Sequence, residues 1–147
     1  MTYTVTSVAL TDVMQLRVAV LREGTPATDC NYPEDSYPDV VHFGIVHEGT
    51  AIATSSWFMK ECPEKPGITA MQLKGMAVAD ELQGAGLGAL LVDTGLALAN
   101  ERGALIAWAR ARDRALGFYE RLGFVSTGDG FIDGPTAMPH HIVVRTL

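Results

Sequence analysis

The chain has 147 residues, of which 48% are hydrophobic and 19% charged, and its formal net charge is −6 at pH 7. These values are typical of one compact domain with a core of its own and exclude a disordered chain. A net negative charge also argues against non-specific nucleic-acid binding, which needs a basic surface.

The sequence offers no membrane segment and no cysteine motif. Its apolar runs are too short to span a bilayer, and the first ten residues lack the basic start of a secretory signal. We therefore expect a cytoplasmic protein with no membrane partner. Cys30 and Cys62 do not form a Cys-x-x-Cys spacing, so no metal site is expected. Two free thiols suit that compartment, and a disulfide between them is the alternative.

The first half of the chain predicts a strand, a helix and a hairpin. "YTVTSVAL" alternates polar and apolar residues as a half-buried strand does. Thr11 or Asp12 is expected to cap the helix that follows. One face of that helix would carry Val13, Leu16, Val20 and Leu21. From Gly24 to Asp39 the composition predicts an ordered loop or a broken helix. "VVHFGIVHEGTAIATSSWFM" predicts a hairpin that turns at Glu48-Gly49.

The second half alternates strands with helices. "AMQLKGMAVA" predicts a strand, and a helix is expected from about Leu87 to about Arg102, where Gly95 lowers the helix propensity. "ALIAWA" predicts a strand buried on both faces. Asp113 would cap a last helix that runs to about Leu122, and "FVSTGDGFI" and "HHIVVRTL" predict the last two strands. This order predicts an α/β (α+β) fold with a mixed sheet, in a single domain over residues 1–147.

Three glycines lie at alternate positions between the strand and the helix, in "LQGAGLGALL". Glycine lets the backbone adopt a positive φ and approach a ligand closely. The N–H groups at the start of the next helix lack intrahelical partners, and the helix dipole adds positive charge there. This arrangement indicates a phosphate site. The alternative is a tight turn that only packs the helix onto the sheet.

Two common phosphate motifs fit this loop poorly. Gly84, Gly86 and Ala89 match the dinucleotide pattern G-x-G-x-x-A, but the end of the next strand carries Arg110 instead of an acidic residue. An arginine there suits a 2′-phosphate, so an NADP-dependent oxidoreductase is our third hypothesis. No Lys-Ser or Lys-Thr pair follows the glycines, which excludes a nucleotide-triphosphatase loop.

Another pattern fits better. Gln83–Gly88 resembles Q/R-x-x-G-x-G/A, the pyrophosphate loop of the GNAT superfamily of N-acetyltransferases, and "ALGFYERLGF" resembles a later helix of that family. "LRVAVLRE" and "GPTAMPHHIVV" are similar to segments of its small bacterial members. The resemblance covers essentially the whole chain. It implies a mixed, mostly antiparallel sheet of about six or seven strands, a V-shaped split between two parallel strands, and about four helices.

The resemblance also implies acetyl-CoA as co-substrate. The cofactor would enter between the parallel strands, here about Met71–Ala79 and Ala104–Ala109, with its pantetheine arm along the first of them. The implied binding residues are Met76, Ala77, Val78, Gln83, Gly84, Ala85, Gly86, Leu87, Gly88, Arg110 and Arg112. Arg110 stands where family members often have Asn, so it contacts a phosphate or is simply an exposed residue at a strand end.

The chemistry implied by the resemblance is direct attack of a primary amine on the thioester in a ternary complex. Tyr119 matches the tyrosine that protonates the leaving CoA sulfur; the alternative is a core aromatic. Glu34, Asp35 and Asp39 lie in the loop that often forms the acceptor site, where acidic residues suit a small-molecule amine or a free amino group. The sequence identifies no general base. A homodimer is compatible with the family, and a non-catalytic acyl-CoA-binding or regulatory module is the alternative function.

Overall fold

A computed structural model describes residues 2–134 and 136–147, and its elements alternate much as the sequence predicts. The strands are β1 (Val5–Val8), β2 (Val41–His47), β3 (Thr50–Met59), β4 (Ala70–Val78), β5 (Ile106–Arg112), β6 (Val125–Ile132) and β7 (Pro139–Thr146); the α-helices are α1 (Leu10–Leu21), α2 (Leu87–Glu101) and α3 (Leu116–Arg121); and short 3₁₀ helices cover Pro33–Ser36, Asp80–Leu82 and Asp113–Ala115.

The seven strands belong to one sheet, in the order β1-β2-β3-β4-β5-β7-β6. The sheet is mostly antiparallel and includes one parallel pair, which confirms the predicted fold class. The chain divides into two compact units. Unit 1 contains the residues up to Phe58 together with Leu73–Ala97, and unit 2 contains Met59–Gln72 and Leu98–Leu147. The single domain therefore stays a prediction.

Unit 1 contains the predicted hairpin. β1 pairs with β2 and β2 with β3, both antiparallel. The hairpin turns at Glu48 and Gly49, whose φ angles are 52° and 79°. Two successive positive φ angles belong to the two-residue turn that matches the twist of paired strands. The apolar core beneath this hairpin contains Ile45, Ile52, Ala53, Leu87 and Leu91, with Met76 and Val78 packed against it.

The predicted cap of the first helix is wrong. α1 begins at Leu10, with Ala9 as the N-cap, so neither Thr11 nor Asp12 caps it. Because the helix starts earlier, Asp12 occupies its third position, and its carboxylate accepts a hydrogen bond from the Ala9 N–H at 3.0 Å. A carboxylate at that position satisfies a donor at the helix end and favours the helix dipole.

The expected number of helices is also corrected. The part of the chain that the structure describes has three α-helices, instead of about four. Between Gly24 and Asp39 it forms only the 3₁₀ helix Pro33–Ser36. Prolines at positions 26, 33 and 38 explain this, because each lacks a backbone N–H and disfavours helical geometry in the residue before it.

Gly95 has a packing role that its low helix propensity hides. It is buried in α2, and a Cβ built on it would overlap ring atoms Cε2 and Cζ2 of the fully buried Trp57. We expect Gly95→Ala to lower the free energy of unfolding by about 1–3 kcal/mol through overpacking, although alanine is favoured by roughly 1 kcal/mol in an exposed helix.

Chemical denaturation of the two proteins would measure this difference. Asn100→Ala, at an exposed position of the same helix, is the control and should stabilise the protein slightly. If Gly95→Ala were stabilising as well, close packing against Trp57 would not be the reason for the glycine.

Unit 2 is built on antiparallel pairs of β7 with β5 and with β6. Its core contains Cys62, Ala70, Ile106, Trp108, Ile142 and Val144. The Trp108 indole N–H donates to the carbonyl of Lys60 at 2.8 Å, which connects β5 to the segment after β3. The predicted cap of the last helix is also wrong. Asp113 is the first residue of the 3₁₀ helix Asp113–Ala115, whose N-cap is Arg112, and α3 follows with Ala115 as its N-cap.

Both cysteines are free and buried, as favoured from the sequence. None of the helices in residues 2–134 and 136–147 combines the length and apolar character of a membrane-spanning segment. In the same residues, no group of three or more His, Cys, Asp or Glu side chains is arranged to hold a metal ion.

Candidate functional site

The glycine-rich turn lies in unit 1 and has the backbone that a phosphate loop requires. Gly84 and Gly86 have φ angles of 88° and 85°. A Cβ at either position would meet no atom within 4 Å, so the positive φ, and not a close neighbour, requires glycine there. Residues 83–86 are exposed, and Leu87 is buried in the unit 1 core. The buried Leu87 therefore fixes the end of the turn where the helix starts, while the preceding residues of the turn are open to solvent.

The start of α2 offers donors to this open turn. The first hydrogen bond that reaches into the helix runs from the Leu90 N–H to the Gly86 carbonyl at 3.2 Å. The N–H groups of Leu87, Gly88 and Ala89 precede it and therefore lack an intrahelical acceptor. Together with the helix dipole, they make the end of α2 suitable for an anion such as a pyrophosphate.

The side chain of Gln83 ties the turn to the end of β4. Its Nε2 donates to the Val78 carbonyl and to the Asp80 carboxylate, each at 3.2 Å. The Ala79 N–H donates to the Ile52 carbonyl of β3 at 2.9 Å. Met76, Ala77 and Val78 are therefore held beside the turn in the same unit, and the structure brings these predicted residues together with Gln83–Gly88.

Tyr119 lies in α3 of unit 2 and is buried, with 6% of its surface exposed. Its ring packs edge-on against Phe118 and Phe124, with centroid distances of 5.1 and 5.4 Å. Burial raises the pKa of the Tyr119 hydroxyl above its ordinary value of 10.0, so the phenol is protonated at neutral pH. This is the state that a proton donor needs.

Arg110 and Arg112 also lie in unit 2, at the end of β5. Arg110 is partly exposed; its Nη2 lies 3.2 Å from the Asp133 carboxylate and its guanidinium carbon 4.7 Å from the centroid of the Phe131 ring. Burial alone would raise the pKa of Asp133, but hydrogen bonds from Thr136 and Arg110 help to hold it below its ordinary value. A phosphate at Arg110 would thus compete with an ionised carboxylate.

A buried cation in α1, which is not among the predicted site residues, organises the acidic loop of unit 1. Arg17 is 0% exposed, and its guanidinium forms two hydrogen bonds with the Asp35 carboxylate, at 2.8 and 2.9 Å. It also donates to the Cys30 carbonyl at 3.0 Å and to Ser56 Oγ at 2.7 Å. A signal existed in the sequence, because Arg17 occupies the predicted apolar face of α1, four residues after Val13.

The Arg17 network continues to a histidine of β2. His42 Nδ1 is 2.6 Å from Ser56 Oγ, and the ring is buried. Burial, reinforced by the nearby Arg17 charge, lowers the pKa of His42 below its ordinary value of 6.5. His42 is therefore neutral at physiological pH and serves as a hydrogen-bonding partner inside unit 1.

One further surface feature of unit 1 is a groove of about 540 Å³ lined by residues of α1, by Gly49 and the start of β3, and by residues 79–81 after β4. No predicted site residue lines it. The groove and the glycine-rich turn therefore share no lining residue.

An exposed glycine turn at the start of a helix, after a strand of a mixed sheet, is a backbone arrangement suited to an anion in an α/β protein. A family model described as the Acetyltransferase (GNAT) family matches residues 10–124. The chain therefore belongs to the GNAT family of acetyltransferases. A Bacillus subtilis (strain 168) relative, named uncharacterized N-acetyltransferase YitI, is 27% identical over 143 residues, which cover 97% of this chain and 95% of that protein.

Solved structures share the fold. Escherichia coli ElaA superposes with a TM-score of 0.77 at 17% identity, over 98% of this chain and 99% of that chain. A chain of the NatC complex bound to Gag peptide and CoA gives a TM-score of 0.76 at 12% identity, over 100% of this chain and 99% of that chain. At such low identity these likenesses concern the fold alone.

Proposed function

We propose that this protein is an N-acetyltransferase that transfers the acetyl group of acetyl-CoA to a primary amine. The observation that carries the proposal is the turn of residues 83–86, with Gly84 and Gly86 at positive φ directly before the N–H groups that start α2. In a GNAT chain, this turn is the natural place for the CoA pyrophosphate. A chain that shares this fold belongs to the NatC complex, which was solved bound to Gag peptide and CoA, and this supports the choice of ligand.

The proposed chemistry uses the backbone at the end of β4. The pantetheine arm would pair with Met76–Val78 as an added strand, and an N–H near Ala77 or Val78 would donate to the thioester carbonyl. Such a preorganised donor stabilises the oxyanion that forms when the amine attacks. Both substrates would be bound together, so proximity supplies much of the rate.

Tyr119 is proposed to act on the leaving group. As the carbon–sulfur bond breaks, negative charge develops on the CoA sulfur, and the phenol O–H donates to it. Because burial raises the pKa of Tyr119, transfer of its proton is costly until that charge is nearly complete. The hydroxyl therefore contributes mainly a hydrogen bond that strengthens in the transition state. Arg110 and Arg112 are proposed as contacts to the phosphates of the cofactor.

Thermal unfolding with acetyl-CoA, and separately with NADPH, tests the cofactor. Acetyl-CoA at about 100 times its Kd should stabilise the protein by roughly 2.7 kcal/mol, which raises the Tm by several degrees at this size. Gly86→Ala should abolish the shift, because its side chain disturbs the left-handed turn.

Gly103→Ala is the matched control. Gly103 also has a positive φ, 79°, with no atom within 4 Å of a built Cβ, so it carries a similar backbone strain outside the turn. This variant should lose stability but keep the acetyl-CoA shift. A shift with NADPH alone, or an unchanged acetyl-CoA shift in Gly86→Ala, would contradict the proposal.

A further inference from the structure

His140, at the start of β7 in unit 2, has one ring nitrogen in a hydrogen bond and the other free. Its Nδ1 is 2.8 Å from the Met138 carbonyl oxygen. A carbonyl oxygen only accepts hydrogen bonds, so Nδ1 carries the proton that this bond requires. In the neutral ring the unshared electron pair is therefore on Nε2. The contact with Met138 thus selects the tautomer in which Nε2 accepts a proton.

The free nitrogen of His140 is also accessible, although the residue as a whole is buried and has 6% of its surface exposed. Among the described residues, Arg17 Nε is the only side-chain nitrogen or oxygen that is both enclosed and without a hydrogen-bond partner. His140 Nε2 has no hydrogen-bond partner in that part of the chain, so it is not enclosed. The small exposed part of the residue therefore includes the proton-accepting atom.

The neighbours of the imidazole fix its orientation and favour its charged form. The His140 ring stacks on the Phe131 ring, with centroids 5.7 Å apart and an interplanar angle of 25°. Burial alone would raise the pKa of Asp133, but a hydrogen bond from Thr136 and the charge of His140 help to lower it. This attraction is mutual, so the Asp133 carboxylate and the Phe131 face would both stabilise an imidazolium at His140.

His140 shares a face of the sheet with the two arginines that we propose as cofactor contacts. In the antiparallel pair of β5 and β7, His140 lies opposite Arg112, and Arg110 is two residues before Arg112. Paired residues, and alternate residues along a strand, point to the same face. The guanidinium carbon of Arg110 lies 4.7 Å from the centroid of the Phe131 ring, on which His140 also stacks. The imidazole is therefore beside the proposed cofactor residues of unit 2.

Tyr119 lies on the other face of the same strands. Arg145, five residues after His140 in β7, points to the opposite face, and its Nη1 donates to the Leu122 carbonyl at the end of α3 at 2.9 Å. The helix that carries Tyr119 thus packs on the face away from His140. A proton donor for the leaving sulfur and a proton acceptor for the attacking nitrogen serve different substituents of the reacting carbon, and opposite faces keep them apart.

We propose that His140 Nε2 is the general base that takes the proton of the attacking amine, an assignment that rests on the proposed acetyltransferase function. The nitrogen of the neutral primary amine bonds to the thioester carbon, its proton passes to Nε2, and the carbon–sulfur bond breaks. The sulfur takes a proton from Tyr119. Water then removes the proton from the imidazolium and returns one to Tyr119, so the exchange is balanced without a further reactant.

The kinetic test uses His140→Asn, because the amide nitrogen of Asn replaces Nδ1 as donor to the Met138 carbonyl while Nε2 is lost. We expect kcat to fall by roughly 10²- to 10⁴-fold, with an unchanged Tm shift from acetyl-CoA. His140→Gln places an amide near the position of Nε2 but supplies no basic nitrogen, so it should not restore kcat. Release of CoA thiol with a panel of primary amines would measure the rates.

His141→Asn is the matched control. His141 Nδ1 is 2.6 Å from the Asp113 carboxylate, and Asn at this position keeps a donor for Asp113 while it loses Nε2. The same chemical change is thus made one residue along the chain, on the opposite face of β7. This variant should keep the kcat of the wild type.

The tautomer is tested without turnover, by ¹⁵N NMR of the imidazole rings at alkaline pH, with the His140 signals assigned by their loss in either variant. We expect the proton on Nδ1. A proton on Nε2 instead would overturn the inference whatever the activity.

The rates separate this inference from the proposed function. An unchanged kcat in His140→Asn, or His140→Gln as active as the wild type, would refute the base and leave the acetyltransferase proposal standing. Wild-type protein that transfers acetyl to no amine would refute both.

Discussion

Replacing Tyr119 with Phe is expected to lower kcat for acetyl transfer by roughly 10²- to 10⁴-fold, the range for loss of a positioned proton donor. The variant keeps the ring that packs against Phe118 and Phe124, so its Tm and its affinity for acetyl-CoA should stay close to those of the wild type. Release of CoA thiol in the presence of a panel of primary amines would measure the rate.

Tyr3→Phe is the matched control for Tyr119→Phe, since it removes a phenol hydroxyl to which the proposed chemistry gives no role. An unchanged kcat in Tyr119→Phe would remove Tyr119 from the mechanism but not the cofactor site. Wild-type protein that binds acetyl-CoA and transfers acetyl to no amine would instead support a non-catalytic acyl-CoA-binding module.

Arg17→Met is expected to lower the free energy of unfolding by about 3–5 kcal/mol, the usual cost of removing one partner of a buried ion pair. The methionine fills similar space but leaves the Asp35 carboxylate, Ser56 Oγ and the Cys30 carbonyl without the guanidinium. Urea unfolding of both proteins would measure the difference. Adding Asp35→Asn should recover part of the lost free energy of unfolding, because Arg17 and Asp35 are directly coupled. If the double variant instead lost the sum of the two single-variant losses, this account of the ion pair would be wrong.

The ion pair of Arg17 with Asp35 also predicts that the stability of the protein depends on pH. Burial alone would raise the pKa of Asp35, but the hydrogen bonds from Arg17 and the Tyr32 N–H hold it below its ordinary value of 3.8. The unfolded chain therefore binds this proton more readily, and the stability from the pair is fully present above about pH 4. It is lost as the pH falls through the lower, folded-state pKa. The difference in free energy of unfolding between wild type and Arg17→Met should therefore become smaller as the pH falls below about 4.

Much of the candidate site could be predicted because its signal is local. The glycine-rich turn depends on left-handed glycines and on a helix that starts directly after them, and both requirements lie within Gln83–Gly88. The strands and helices follow from apolar periodicity over a few residues, and the Glu48-Gly49 turn from its own backbone preference. These features do not depend on which distant residues pack against them, so the order of strands and helices along the chain could be predicted.

The features that could not be predicted from the sequence depend on contacts between residues that lie far apart in the chain. Gly95 looks like a weak helix residue until Trp57 is placed against it. Arg17 is visible in the sequence only as a charge on the predicted apolar face of α1, and its partners become known only when the turn carrying Asp35 and the strand carrying Ser56 close around it. In both cases the energy comes from burial and from contacts between distant segments, which no local pattern encodes. The amino-acid sequence therefore specified the elements and the glycine-rich turn, and tertiary packing decided which charges are buried and which residues pair with them.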